Sequence, residues 1–152
     1  MPILDLADLP PACTPLMGLD LGEKTIGVAV SDTTRTIASP LQTIRKLKFT
    51  EDAAALFKLM GGRGAEGIVV GLPVNMDGTE GPRCQSSRAF ARNILRLRAF
   101  PIAFWDERMS TMAINRMLID EADMNRARRS EVVDKAAAAW ILQGALDRLA
   151  NA

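Results

Sequence analysis

Residues 17–32, MGLDLGEKTIGVAVSD, decide the fold of this 152-residue chain. Two apolar runs flank the turn sequence GEKT, so the stretch reads as a β-hairpin with strands over residues 16–21 and 26–31. Inside the first run stands Asp20, with glycines on either side at Gly18 and Gly22. Strand alternation sends Leu16, Gly18 and Asp20 to one face and Met17, Leu19 and Leu21 to the other. A carboxylate there is costly to bury unless something pairs with it, so its partner should stand elsewhere in the chain.

Working outward, a third strand is expected over residues 37–44, with Pro40 marking an edge or a bulge. A helix over residues 51–60 should take Thr50 as N-cap and the following glycines as its stop. EGIVVGLP, residues 66–73, is a continuously apolar strand of the kind covered on both faces. The turn-rich loop PVNMDGTEG then leads into Pro82 and a helix over residues 83–98. On that helix Phe90, Ile94 and Leu97 are expected on the buried side, and Arg88, Arg92 and Arg96 form a basic stripe at spacing four. PIAFWDER is the fifth strand, STMAINRMLIDEA a helix capped by Ser110, and SEVVDKAAAAWILQGALDRLA a final helix capped by Ser130. Short loops make the first three strands an antiparallel meander, and the two strands separated by helices should run parallel to the first. The expected class is α/β, a mixed five-stranded sheet flanked by helices.

The length suits one domain with a substantial core, placed at residues 15–150. Residues 1–14, with three prolines and two aspartates, are expected to form a loosely held, flexible arm. Net charge is only +1, but residues 1–82 carry 7 Lys or Arg against 10 acids and residues 83–152 carry 12 against 8. Such asymmetry suits a polyanionic partner. The absence of histidine removes Ser-His-Asp triads and imidazole metal ligands. Cys13 and Cys84 form no CxxC pair and read as reduced thiols. The opening residues do not resemble a signal peptide, and no run approaches the roughly 20 apolar residues of a membrane span. A cytoplasmic protein is expected, with no membrane partner.

Any catalysis must therefore come from carboxylates or metals. The fifth strand ends in Asp106 and Glu107, at the carboxyl end of a parallel strand where open α/β sheets form their sites; one of the two should face inward. Asp134, in the first turn of the final helix as read, precedes an apolar face of Ala138, Ile141, Leu142 and Ala145. Three acids from distant parts of the chain repel one another and demand a cation. All-oxygen ligands suit Mg²⁺ or Mn²⁺, and two such ions about 3.5 to 4 Å apart would activate a water and stabilise a leaving oxygen. The competing reading of DLGEKTIG is the phosphate hairpin of actin-like ATPases. That reading needs a second domain for which this chain has no room, and no Walker A pattern occurs, so no nucleotide cofactor is expected.

GLDLGEKTIGVAVSD, IVVGLPVNMDGTEG, DERMST and VVDKAAAAWILQ, in that order, resemble the YqgF or RuvX proteins, described as Holliday junction resolvases and as pre-16S rRNA nucleases. The resemblance implies an RNase H-like fold with strand order 3-2-1-4-5 and strand 2 antiparallel. It also implies a divalent-metal nuclease whose acidic triad is Asp20, Glu107 and Asp134, choosing Glu107 over Asp106. Related resolvases use a fourth acid near Glu131. Lys24 in the hairpin turn and Asn75 in the loop are candidates to touch a phosphate, as is Arg108 beside the glutamate. The stripe Arg88, Arg92 and Arg96, with Arg126, Arg128 and Arg129, would hold the backbone.

Only seven aromatics occur and none is interleaved with the basic residues, so binding should follow backbone shape and charge. This fits pre-rRNA or branched DNA. A symmetric cutter of junctions should be a homodimer, whereas a monomer favours the RNA substrate. A non-catalytic nucleic-acid-binding module is the alternative from another class.

Overall fold

A computed structural model describes residues 3–75, 77–109 and 126–151, with side chains described for 3–75, 77–108 and 135–151. The hairpin forms as read: β1 (Leu16–Leu21) pairs antiparallel with β2 (Thr25–Ser31), and the Gly22 N–H donates to Thr25 O at 2.9 Å across the turn. β3 (Ala38–Arg45) continues the meander. A register shift between Val28 and Ala29 lies opposite Pro40, so the residue without an N–H sits on an edge strand at a bulge. After α1 (Phe49–Arg63), β4 (Gly67–Leu72) pairs parallel to β1. After α2 (Pro82–Leu97), β5 (Ile102–Asp106) pairs parallel to β4, giving the order β3-β2-β1-β4-β5. A 3₁₀ turn (Glu107–Met109) follows β5, and α3 (Arg126–Ala150) closes the fold.

Alternation along the strands divides the core into two layers. Met17, Leu19, Val28, Ile68 and Val70 pack against Leu56 and Met60 of α1 and Ile94 of α2. Leu16, Ala29, Val69 and Ala103 pack against Ala138, Ile141, Leu142 and Ala145 of α3. This second interface is made of small residues, which lets α3 lie close to the sheet. A Cβ on Gly18 would stand 2.7 Å from Leu142 Cβ and 3.0 Å from Ala138 O, a distance no real side chain tolerates. Gln143 fixes the helix against β3 by accepting from Ala38 N at 2.9 Å and donating to Thr36 O at 2.9 Å.

Several local expectations are corrected. α1 begins at Phe49 rather than after Thr50, because Asp52 reaches back from inside the first turn to accept the Leu47 N–H at 2.9 Å. Its stop is Gly64 in the left-handed region at φ 66°. α3 starts no later than Arg126, so Ser130 lies within the helix and does not cap it. Asp134 accordingly lies beyond the first turn and loses the dipole contribution assigned to it there. Leu97, at the last residue of α2, is 54% exposed because the helix end runs past the sheet. The helix expected after Ser110 lies outside the described residues.

The opening segment is docked rather than loose. Leu4 N–H donates to Ile102 O at 2.9 Å and forms a bridge beside β5, a 3₁₀ turn covers Leu6–Asp8, and Leu9 and Cys13 are buried in the α3 layer. Apolar Leu4, Leu6 and Leu9 provide the physical reason, since each removes surface from water against that layer.

Candidate active site

Asp20 stands near the carboxyl end of β1, opposite Gly27 of β2, on the face shared by Gly18 and covered by α3. Glu107 begins the turn after β5 and reaches the same face: a Cβ on Gly71 would stand 2.5 Å from Glu107 Oε1 and 2.6 Å from Ile141 Cδ1. The missing side chain at Gly71 is thus the room that Glu107 occupies. Asp20 and Glu107 are in hydrogen-bond contact, and Glu107 is pushed well above the carboxylate range, up to about 8. Burial is the main cause, followed by the Asp20 charge, with Arg83 pulling the other way. Two carboxyl groups therefore meet at the strand ends, and their closeness disfavours the state in which both are ionised.

Asp106 goes elsewhere. Its β4 partner is Leu72, so it belongs to the opposite face. There Arg108 donates to it through Nη2 at 2.6 Å and Nε at 2.9 Å, and this pairing holds its carboxyl below the usual range. The register separates two adjacent acids that local pattern alone could not rank.

Of the third acid only the backbone is described. Asp134 lies in α3 one turn before Ala138, whose carbonyl is the group that would crowd a side chain on Gly18. The side chains of Asp134, Glu131, Arg126, Arg128 and Arg129 lie outside the described residues, and among the described residues no three metal-ligating side chains converge.

The expected nucleic-acid contacts divide. Lys24 is exposed in the β1–β2 turn, at the same end of the sheet as Asp20. Arg92 and Arg96 are exposed along α2, about 14 and 20 Å along the axis from Arg83. Arg88 forks onto Glu80, Nε to Oε1 at 2.7 Å and Nη2 to Oε2 at 2.8 Å, and lies 5.0 Å from the Phe104 ring centre. It serves the fold's own contacts, unlike its neighbours in the stripe. Asn75 Nδ2 donates to Thr79 Oγ1 at 3.1 Å, and its backbone N–H donates to Thr79 O at 2.9 Å. Asp77 accepts from Thr79 N at 2.9 Å, which closes the loop on itself with Gly78 at φ 90°. Arg108 Nη1 would stand 3.8 Å from a Cβ on Gly78, so the loop and the turn after β5 adjoin.

Two contributors were not singled out from sequence. Arg83 attracts the Glu107 carboxylate and donates to Leu21 O at 3.3 Å, which ties the start of α2 to the residue after Asp20. Its signal was there: a cation immediately after an N1 proline, at the end of a loop leaving a parallel strand. Gly71 was legible as the small residue two positions after Val69 on the α3 face. Cys13 and Cys84 are buried free thiols and take no part.

Residues 14–148 match the family model described as RuvX, Holliday junction resolvase. A Phenylobacterium zucineum protein named "Putative pre-16S rRNA nuclease" is 76% identical, over 99% of this chain and 99% of its own. A Caulobacter sp. protein of the same name is 66% identical over 98% of this chain and 93% of its own. In structure, Thermus thermophilus RuvC in complex with a Holliday junction superposes with a TM-score of 0.57 at 14% identity, covering 90% of this chain and 96% of RuvC. The yeast mitochondrial Holliday junction resolvase Ydc2 gives 0.51 at 13% identity, covering 96% and 86%. These two likenesses concern the fold, which is the RNase H-like arrangement.

Proposed function

Since this chain belongs to the RuvX family of nucleases, we propose that Asp20 and Glu107, joined by Asp134, form the divalent-metal site of a phosphodiester hydrolase acting on structured nucleic acid. The observation that carries this reading is the side-chain contact of Asp20 and Glu107 at the carboxyl ends of β1 and β5. Two carboxyl groups in contact are a costly arrangement that an oxygen-seeking cation relieves, and the donor set fits Mg²⁺ or Mn²⁺. When bound, such ions lower the pKa of a water and stabilise the charge on the leaving oxygen.

The chain's own residues do the rest. Asp20 and Glu107 would hold the cation through their carboxylate oxygens. Arg83 stands beside Glu107, where its charge favours the ionised carboxylate against burial and the Asp20 charge and can attract a phosphate. Lys24, Arg92 and Arg96 hold the backbone on either side, together with Arg126, Arg128 and Arg129 of α3. The products carry 5′-phosphate and 3′-hydroxyl ends.

The substrate favoured is the 5′ region of pre-16S rRNA, in the cytoplasm, because the relatives at 66–76% identity carry that name. The family description favours a second reading, cleavage of four-way DNA junctions, for which two-fold symmetry of the cut would call for a homodimer. The test compares wild type with Asp20→Asn on pre-16S rRNA and on a four-way junction, with Mg²⁺ and with EDTA. Cleavage of the RNA by wild type alone, and only with metal, is expected. Equal cleavage by the variant sinks the metal site, faster cleavage of the junction by a dimer selects the second reading, and binding without cleavage makes the chain a binding module.

A further inference from the structure

The Asp20–Glu107 pair uses one face of the strand ends, and the other face of the same ends holds a cavity the reaction has not accounted for. Its volume is about 560 Å³, within the range of small-ligand sites, about 300–1,000 Å³. We propose that this cavity takes one unpaired nucleotide of the substrate strand, next to the bond that is cut. The proposal rests on the nuclease reading and narrows its substrate class.

The lining has the chemistry of a nucleotide site. Leu47 is 72% exposed at the edge, and Phe49 stands edge-to-face on Phe90 with ring centres 5.6 Å apart, so an apolar and aromatic wall is available to a base. Ser86 and Asn93 of α2 supply a hydroxyl and an amide, able to donate to and accept from a base edge. Two cations are anchored to the end of β1: Lys46 Nζ donates to Gly22 O at 2.9 Å and Arg83 Nη2 to Leu21 O at 3.3 Å. Each anchor uses one N–H, and the remaining donors of an ammonium and a guanidinium suit a phosphate. The acids there are Glu23, which is exposed, and Asp52, whose carboxylate accepts the Leu47 N–H.

Connectivity places the cavity within one nucleotide of the chemistry. Leu21 lines it and directly follows Asp20 in β1, so the two residues send side chains to opposite faces of one strand end. Arg83 touches both regions, attracting Glu107 and lining the cavity. A strand crossing the end of β1 can thus present a phosphate to one face and a base to the other. A base still paired cannot enter, because its complement would have to pass through β1. The favoured substrates are accordingly cut beside a single-stranded flank, bulge or branch point, and not within a continuous duplex.

The test uses the full chain and a structured RNA in which nucleotides around the cut are replaced one at a time by abasic residues. Wild type is expected to lose at least about tenfold in cleavage at one position adjacent to the cut and little elsewhere. Ser86→Trp, which fills the cavity, should slow cleavage of the intact RNA by a similar factor and abolish the dependence on that position. Leu47→Ser is the companion variant, and circular dichroism checks that both fold. A flat abasic profile, or wild-type rates for both variants, overturns the proposal and leaves the nuclease reading intact. If wild type cleaves nothing, the nuclease reading fails and the cavity is judged by titrating nucleoside 5′-monophosphates into ¹⁵N-labelled protein. Shifts at the Leu47, Ser86 and Asn93 amides then support it, and their absence overturns it.

Discussion

At the end of β5 two adjacent acids are sent to opposite faces: Asp106 is paired with Arg108, whereas Glu107 meets the Asp20 carboxyl and feels the charge of Arg83. The sign of the pH effect follows. Glu107 binds its proton more tightly in the folded protein, with a value of about 8, than in the unfolded chain, near the ordinary 4.5. Without metal, the folded state therefore holds the extra proton between those values, and stability falls as pH rises from about 5 through 8. Urea denaturation in EDTA should show this decline for wild type and not for Glu107→Gln, whose amide keeps a donor toward Asp20 at every pH. Cleavage by the same variant should drop by at least about 100-fold, the upper end for groups one step further from a metal. Asp20 was legible in the sequence because a charge interrupts an alternating apolar strand. Glu107 was not separable from Asp106 by local pattern, since the choice depends on the β4–β5 register, a property of two strands 30 residues apart. Arg83 carried a positional signal, directly after the proline that opens α2, but its charge did not set it apart from the other arginines of that helix.

At the scale of elements, the seat of α3 on the sheet decides where Asp20 and Glu107 stand. Gly18 and Gly71 lie on neighbouring strands, and a methyl group on each meets a different obstacle. On Gly18 it meets Leu142 Cβ and the Ala138 carbonyl, which only movement of the helix could relieve. On Gly71 it meets the Glu107 carboxyl and the end of Ile141, both of which can swing. Gly18→Ala should therefore cost about 1–3 kcal/mol of stability, measured by chemical denaturation. Gly71→Ala should cost less stability and more activity, because Glu107 is displaced from Asp20. Helix boundaries were the least legible level. Thr50 looked like the cap of α1 by residue type, but the helix begins at Phe49 and Asp52 holds the Leu47 N–H just ahead of it, and Ser130 looked like a start that α3 had already passed. Both are choices between competing side-chain hydrogen bonds, and tertiary packing decides them.

At the scale of the whole molecule, the strand order was legible through the succession of short and helix-bearing connections, and the charge imbalance between the two halves became a surface. Arg92 and Arg96 are exposed on α2, at the far end of the helix from Arg83. If they contact phosphates, the log–log slope of nucleic-acid affinity against salt should fall by about one unit for each of Arg92→Ala and Arg96→Ala, with little change in discrimination between sequences. Fluorescence anisotropy across a salt series measures this. Arg88→Ala should change the slope less and the stability more, because its guanidinium is held by Glu80 and Phe104.

The docked opening segment has a consequence for how this protein behaves in a crowded solution. A five-stranded open sheet has two outer strands whose unpaired N–H and C=O groups can recruit another chain. Pro40 and the register shift opposite it blunt β3, and Leu4 occupies the free side of β5. Removing residues 1–13 should bare a hydrogen-bonding edge and the apolar patch under Leu9 at once. Light scattering during concentration should then show growing assemblies where the intact chain stays dispersed. The segment the composition marked as a loosely held arm is in this sense the protein's guard against sticking to itself.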